Sequence, residues 1–268
     1  MNNFLNVSCF QTNSSENPSK NIEMLSKMFE KNKTKPVDLI CLPECVAIFT
    51  DSKNKLDDYF TNWHQNFFNF ISEQAKKKRS FLLVGSIPFK KKNGKFVNRS
   101  LLLSDSGKII DHYDKINLFD VILSKKEKYL ESKNYDPGKI IKISKLPWGK
   151  LGMSICYDLR FPNLYKKLAK KGADFFSVPA AFTNTTGKVH WHSLLKARAI
   201  ENGCYIFAPA QCGTHDNGRT TYGHSMIINP WGEVLKEAEE KISIINQKIS
   251  LDIIYKVRKK IPSTRFFD

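Results

Sequence analysis

Apolar residues recur along this chain at two spacings, one suited to strands and one to helices, and the changes between them mark out its elements. Phe4 to Phe10 reads as a short strand, and after the polar loop Thr12 to Asn17 the residues Ile22, Leu25 and Phe29 fall at helical intervals. Val37 to Leu42 is an apolar strand that stops at Pro43, leaving Glu44 at its carboxyl end. Leu56 to Lys78 carries Tyr59, Trp63, Phe67 and Phe70 at helical spacing and predicts a long helix packed on a sheet.

Three strands follow, Phe81 to Pro88, Phe96 to Leu103 and Lys108 to Tyr113. The turn signals Asn93-Gly94 and Ser106-Gly107 separate them into a meander that delivers Lys115 just past a strand. Lys150 to Ile155 is the next strand, and Phe161, Leu164, Tyr165 and Leu168 form a helical stripe ended by Gly172, so Cys156 sits at a strand-to-helix corner. Asp174 to Pro179 and Cys204 to Ala210 read as strands around a helix from His190 to Asn202 closed by Gly203. Strands at Gly223 to Ile228 and Ile242 to Ile249 flank the turn Asn229-Pro230-Trp231-Gly232, and a helix covers Asp252 to Lys260. Strand and helix alternate while several strands pair as hairpins, which predicts an α/β fold with mixed sheets and helices outside.

Composition narrows this picture. The 268 residues, 41% of them hydrophobic, suffice for one domain spanning 1–268 with a large core. No apolar run reaches the roughly 18 residues of a membrane span, and no leader pattern opens the chain, so a soluble, cytoplasmic protein is expected. Six cysteines at these spacings do not read as a disulfide framework. Cys41 and Cys45 lack a second ligand pair, as do Cys212 and His215, so no metal is expected and these thiols read as small core residues. The net charge of +17 invites a nucleic-acid partner, but the lysines are scattered, as at Lys76 to Lys78, Lys90 to Lys92, Lys125 and Lys126, and Lys259 and Lys260. No nucleic-acid motif accompanies them, so the charge reads as solvated surface.

Glu44, Lys115 and Cys156 all stand at or just past strand ends, where an α/β fold presents its site. A cysteine on a turn at a helix start has its thiolate favoured by the helix dipole.

Leu42-Pro43-Glu44, Tyr113-Asp114-Lys115-Ile116-Asn117-Leu118-Phe119-Asp120 and Ile155-Cys156-Tyr157-Asp158-Leu159-Arg160-Phe161-Pro162 resemble, in order, the three signature segments of the nitrilase superfamily of carbon-nitrogen hydrolases. The similarity runs from the first strand to about Phe266. It implies a four-layer α-β-β-α sandwich, homodimers or larger assemblies, no cofactor, and hydrolysis of small linear amides through a thioester. In that chemistry Cys156 is the nucleophile and Glu44 the proton carrier, with a pKa expected near neutrality. Lys115 and the N–H of Tyr157 hold the oxyanion, and Lys115 also favours the thiolate. Glu131, in Tyr129-Leu130-Glu131-Ser132, fits the pattern as a second acid that orients Lys115 or the water.

Pro179 to Gly187, Trp191 and Arg198-Ala199-Ile200-Glu201 resemble the branch containing deaminated-glutathione amidase and omega-amidase. That likeness implies that Arg160, Phe182 and Thr186 line the pocket, with Arg160 as a fork for a substrate carboxylate. Ala208 to Gly213, His215, Arg219 and Tyr222 to Met226 look more like the deaminated-glutathione side, whose reaction releases 2-oxoglutarate and cysteinylglycine. The chain departs from the branch at Asn117, where histidine is commoner, and at His190-Trp191-His192, where His-Trp-Glu is usual. Omega-amidase action on 2-oxoglutaramate or 2-oxosuccinamate, N-carbamoyl amidase or nitrilase action, and a non-catalytic scaffold of the same fold stay open at this point.

Overall fold

The computed structural model describes residues 3–32, 37–125 and 127–266; Lys126 lies outside them. In chain order the elements are β1 (Phe4–Gln11), α1 (Pro18–Lys31), β2 (Leu39–Cys41), α2 (Lys53–Asp58), a π-helical turn (Tyr59–Trp63), α3 (His64–Lys78), β3 (Phe81–Lys90), β4 (Phe96–Leu103) and β5 (Ile109–Asp114). There follow β6 (Asp120–Ile122), β7 (Lys128–Leu130), β8 (Ile143–Leu146), β9 (Gly149–Met153), a 3₁₀ turn (Cys156–Arg160), α4 (Pro162–Lys170), β10 (Phe175–Ser177), α5 (Asn184–Asn202) and β11 (Tyr205–Ala208). The chain closes with β12 (Cys212–Thr214), β13 (Thr220–Tyr222), β14 (Met226–Ile228), β15 (Val234–Glu237), β16 (Ser243–Ser250) and α6 (Asp252–Lys260).

Two six-stranded sheets result, ordered β16-β1-β2-β3-β4-β5 and β15-β14-β11-β10-β9-β8. Each has a parallel trio at its centre, β1-β2-β3 and β9-β10-β11, flanked by antiparallel strands. The period-2 alternation of a strand explains why the two faces of the first sheet belong to different cores. Leu39, Cys41, Leu83 and Leu102 face the second sheet, whereas Ile40, Leu42, Leu82, Val84, Leu101 and Leu103 face Leu25 and Phe29 of α1 and Phe67, Ile71 and Ala75 of α3. The second sheet packs its outer face on Leu164, Tyr165 and Leu168 of α4 and on Trp191, Leu195 and Ala199 of α5. The layers are therefore α-β-β-α. Among the described residues no helix is long and apolar enough to cross a membrane.

Two differences from the expected elements have physical causes. The helix expected over Leu56 to Lys78 begins at Lys53 and contains a π turn where Tyr59 is fully buried and Phe60 meets Phe89 and Phe96 edge-on at 5.9 and 6.4 Å. Helix α5 begins at Asn184, six residues before its expected start, because Thr183 caps it by accepting from the Thr186 N–H. The small polar run through Gly187 reads as a loop, yet Gly187 is inside the helix, where a Cβ would lie 2.4 Å from the Cβ of Tyr222. Only glycine permits that approach of α5 to β13.

Candidate active site

Four polypeptide segments converge on one cavity of about 560 Å³. Glu44 follows β2, Lys115 follows β5, Cys156 follows β9 by three residues, and Ala181 follows β10. The first sheet thus supplies the acid and the lysine, and the second supplies the thiol.

Cys156 has φ +47°, a left-handed conformation that side chains rarely adopt and that costs about 1–3 kcal/mol. Asp158, fully buried, holds the turn: Oδ2 accepts from the Ile155 N–H at 2.9 Å and the Tyr113 hydroxyl at 2.8 Å. Oδ1 accepts from the backbone and side chain of Asn117 at 3.0 and 2.7 Å. One carboxyl therefore fastens the Cys156 turn to the segment carrying Lys115, and Asn117 in place of the commoner histidine serves this purpose. The Cys156 N–H itself donates to the Pro179 carbonyl at 2.9 Å.

Lys115 is almost wholly buried, and its ammonium is clamped between Glu44 Oε1 and Glu131 Oε2, each at 2.9 Å. Asn98 of β4 spends its two amide hydrogens on the same pair, reaching Glu44 Oε1 and Glu131 Oε1 at 2.9 Å each. The Ala181 N–H donates to Glu44 Oε2 at 2.7 Å, and the Phe119 N–H donates to Glu131 Oε2 at 2.7 Å. The Cys156 thiol is also hydrogen-bonded to Glu44. Thiol, ammonium and two carboxyls form one network.

Burial pushes the Glu44 carboxyl up, but the Lys115 charge and its hydrogen bond, with further bonds from Cys156 and Ala181, bring it below the ordinary 4.5. The expectation of a near-neutral Glu44 is thus corrected by the ammonium beside it. Burial, and then the Glu44 charge, raise the Cys156 thiol well above its usual range, with Lys115 opposing. The resting cysteine is a thiol, not the thiolate expected from the helix start and Lys115; the 3₁₀ turn is too short to supply a strong dipole. Lys115 is lowered by burial but raised further by Glu131 and Glu44, so it stays charged.

These directions fix a pH profile. With Glu44 as the base, the role its resemblance implies, hydrolytic kcat/KM should hold steady from neutral pH downward and fall only on the acid side of the ordinary carboxyl range. Rates measured beside circular dichroism separate this limb from acid unfolding, and a limb near neutrality in folded protein would contradict it.

The cavity wall also includes Phe49, Phe119, Lys128, Tyr129, Lys133, Asn134, Tyr135 and Arg219. Arg219 lies between the rings of Phe49 and Tyr129, at 4.8 and 4.6 Å from their centroids, and Phe49 stacks in turn on buried His215 at 3.9 Å. Burial lowers the His215 pKa to about 4, which leaves a neutral ring bonded to the Ser14 carbonyl and the Thr221 hydroxyl. No carboxylate among the described residues pairs with Arg219, and its Nε is buried without a partner.

The side chains expected to bind substrate are arranged differently. Tyr157, Arg160, Phe182 and Thr186 are not on the cavity wall. Arg160 faces the rings of Tyr157 and Phe182 at 5.9 and 5.2 Å and contacts His190 Nδ1 at 3.2 Å. Phe182 packs on Trp191 at 5.0 Å, and the Thr186 hydroxyl is 2.8 Å from that of Thr183. Cys45, by contrast, was expected in the core and lines the cavity; Cys9, Cys41, Cys204 and Cys212 are buried and all six thiols are free.

The family model described as Carbon-nitrogen hydrolase matches residues 6–259. This chain belongs to the carbon-nitrogen hydrolase family. A deaminated glutathione amidase of Synechocystis is 37% identical over 266 residues, covering 96% of each chain. One of Dictyostelium discoideum is 38% identical over 271 residues, covering 98% of this chain and 93% of the relative. The crystal structure of the C. elegans NitFhit protein superimposes with a TM-score of 0.93 at 32% identity, over 98% of this chain and 65% of that longer one. Saccharomyces cerevisiae Nit3, of the nitrilase superfamily, gives 0.84 at 28% identity over 97% and 95%. The four layers of this carbon-nitrogen hydrolase are those of its superfamily. It is a hydrolase acting on amides.

Proposed function

We propose that this enzyme hydrolyses deaminated glutathione to 2-oxoglutarate and cysteinylglycine, with Cys156 as nucleophile. The observation that carries the reading is a thiol bonded to an ionised Glu44 in a cavity that also holds Arg219, whose Nε has no partner and which no carboxylate among the described residues neutralises.

Glu44 takes the thiol proton as sulfur attacks the amide carbon, so charge is created only when substrate is present. The oxyanion is met by Lys115 and the Tyr157 N–H. Glu44 then gives its proton to the departing amine of cysteinylglycine, leaving a thioester of 2-oxoglutarate on Cys156. Water, deprotonated by Glu44, cleaves the thioester and regenerates the thiol. Glu131 contacts neither sulfur nor Glu44 but fixes the ammonium from the other side.

Deaminated glutathione has a carboxylate at each end, whereas 2-oxoglutaramate has one. We assign one terminal carboxylate to Arg219, which is held by Tyr129 and Phe49 but has no carboxylate partner among the described residues. Arg160 takes the other on the acyl side by turning from Tyr157 toward Cys156, and Phe182 and Thr186 support it from behind. This protein is further proposed to act in the cytoplasm as a homodimer or larger assembly.

The test is kcat/KM on both substrates. Deaminated glutathione should be preferred, and Arg219→Met should erase most of that preference, lowering its kcat/KM by about tenfold to a hundredfold through KM while sparing 2-oxoglutaramate. A native preference for 2-oxoglutaramate rejects the assignment.

A further inference from the structure

On another face of the molecule, His192 of α5, His224 between β13 and β14, and Glu237 at the end of β15 converge. His192 Nε2 and His224 Nδ1 lie 2.9 and 2.7 Å from the same oxygen, Glu237 Oε1, and the three atoms all fall within 4.8 Å of one another. The side chains are 34%, 20% and 33% exposed, accessible to a solute yet flanked by protein.

The frame around them is rigid. His224 has φ +54°, its ring stacks on Tyr222 at 4.2 Å, and its carbonyl accepts from Trp191 Nε1 at 2.8 Å. Trp191 is fully buried and immediately precedes His192, so the helix that carries one imidazole also fixes the backbone of the other. Beside them opens a cavity of about 470 Å³ lined by Glu239, Glu240 and Lys241 as well as His224 and Glu237, in which acids outnumber the one lysine and there is room for water.

We propose that His192, His224 and Glu237 bind a divalent transition-metal ion of the zinc type. Two imidazoles and a carboxylate are a donor set suited to zinc, and water from the cavity would complete four-coordination. A tetrahedral zinc ion holds its ligand atoms about 3.3 Å apart, so the carboxylate must retreat by about half an ångström and the two imidazole nitrogens, which lie within 4.8 Å of each other, must draw together by up to about 1.5 Å. The second imidazole is His192, one residue beyond the buried Trp191, and without it the cluster would hold only one imidazole and one carboxylate. The ion ties α5 to the β14–β15 hairpin.

The probe is zinc sulfate, titrated into untagged, chelator-treated full-length protein by calorimetry, with bound metal counted by elemental analysis. One zinc per chain is expected. His192→Ala and His192→Glu should each weaken it by more than about tenfold, since even loss of an outer-shell partner weakens metal sites that much. Cys156→Ala should bind as the parent does, and cobalt-substituted protein should lack a thiolate charge-transfer band. Zinc should raise the Tm of the parent and not of the His192 variants, whose folding circular dichroism verifies. Glu237→Gln gives an independent loss of binding if either His192 variant fails to fold. No stoichiometric binding by the parent, or equal affinity in the folded variants, overturns the site.

Discussion

Replacing Cys156 with alanine is expected to lower kcat for amide hydrolysis by roughly 10⁴-fold or more while leaving the fold in place. The reaction has no other route through this cavity, because Cys45, the second thiol on its wall, is pushed up by burial and by the Glu44 and Glu131 charges and has no bond to a base. Alanine keeps the Cβ in the strained turn, and the Asp158 bonds to Ile155, Tyr113 and Asn117 involve no sulfur, so stability should change by about 1 kcal/mol or less. Release of 2-oxoglutarate and urea unfolding measure the two quantities separately. Hydrolysis that survived in the variant would remove Cys156 from the mechanism, and with it the case for catalysis over a scaffold role at this site.

Lys115→Met is expected to damage both activity and stability. The ammonium is the partner of Glu44 and of Glu131, and removing it leaves two buried carboxyls sharing only Asn98. Breaking a buried ion pair in this way destabilises by roughly 3–5 kcal/mol, and loss of an oxyanion donor costs about 10²–10³ in kcat. The pH dependence has a definite sign. Without Lys115 burial is left to raise the folded-state pKa of Glu44 above its unfolded value, so the folded protein binds more protons and stability is regained as pH falls. Adding Glu131→Gln should restore stability at neutral pH and leave activity lost. Urea unfolding at two pH values checks both statements, and a Lys115→Met protein as stable as the parent at neutral pH would mean that the network contributes nothing to the fold.

Much of this was legible in the chain. Glu44, Lys115 and Cys156 were singled out by the resemblance of their three segments to the nitrilase superfamily, and the strand ends they follow bring them to one cavity. The positions of α6 and β4 matched their expected bounds because apolar spacing marks both, with Gly94 and Gly107 flanking β4 and Pro262 following α6. The short ribbons β6–β7 and β12–β13 were not visible, since three residues per strand carry no periodicity. The role of Asn98 was missed although a signal existed: an amide in a strand whose ends are apolar, which burial obliges to find partners. Arg219 had no such signal. Its importance comes from Phe49 and Tyr129, 170 and 90 residues away in sequence, which only the tertiary fold sets on either side of it. The ionisation of Glu44 and Cys156 was misjudged for the same reason, because it depends on how completely two sheets exclude water.

That division of the site between the sheets bears on the life of the chain before it is complete. The segment ending at Lys115 carries acid and ammonium without Cys156, and the segment containing Cys156 carries that thiol without its base, so neither is expected to hydrolyse an amide by the proposed chemistry. By the proposed chemistry, activity requires the sheets to dock, as Asp158 meets Tyr113 and Asn117, so its appearance reports that long-range step of folding. The thiol is shielded at the same moment. A chain still emerging from the ribosome exposes an ordinary cysteine to oxidants and electrophiles, and a docked one withdraws it until a substrate arrives.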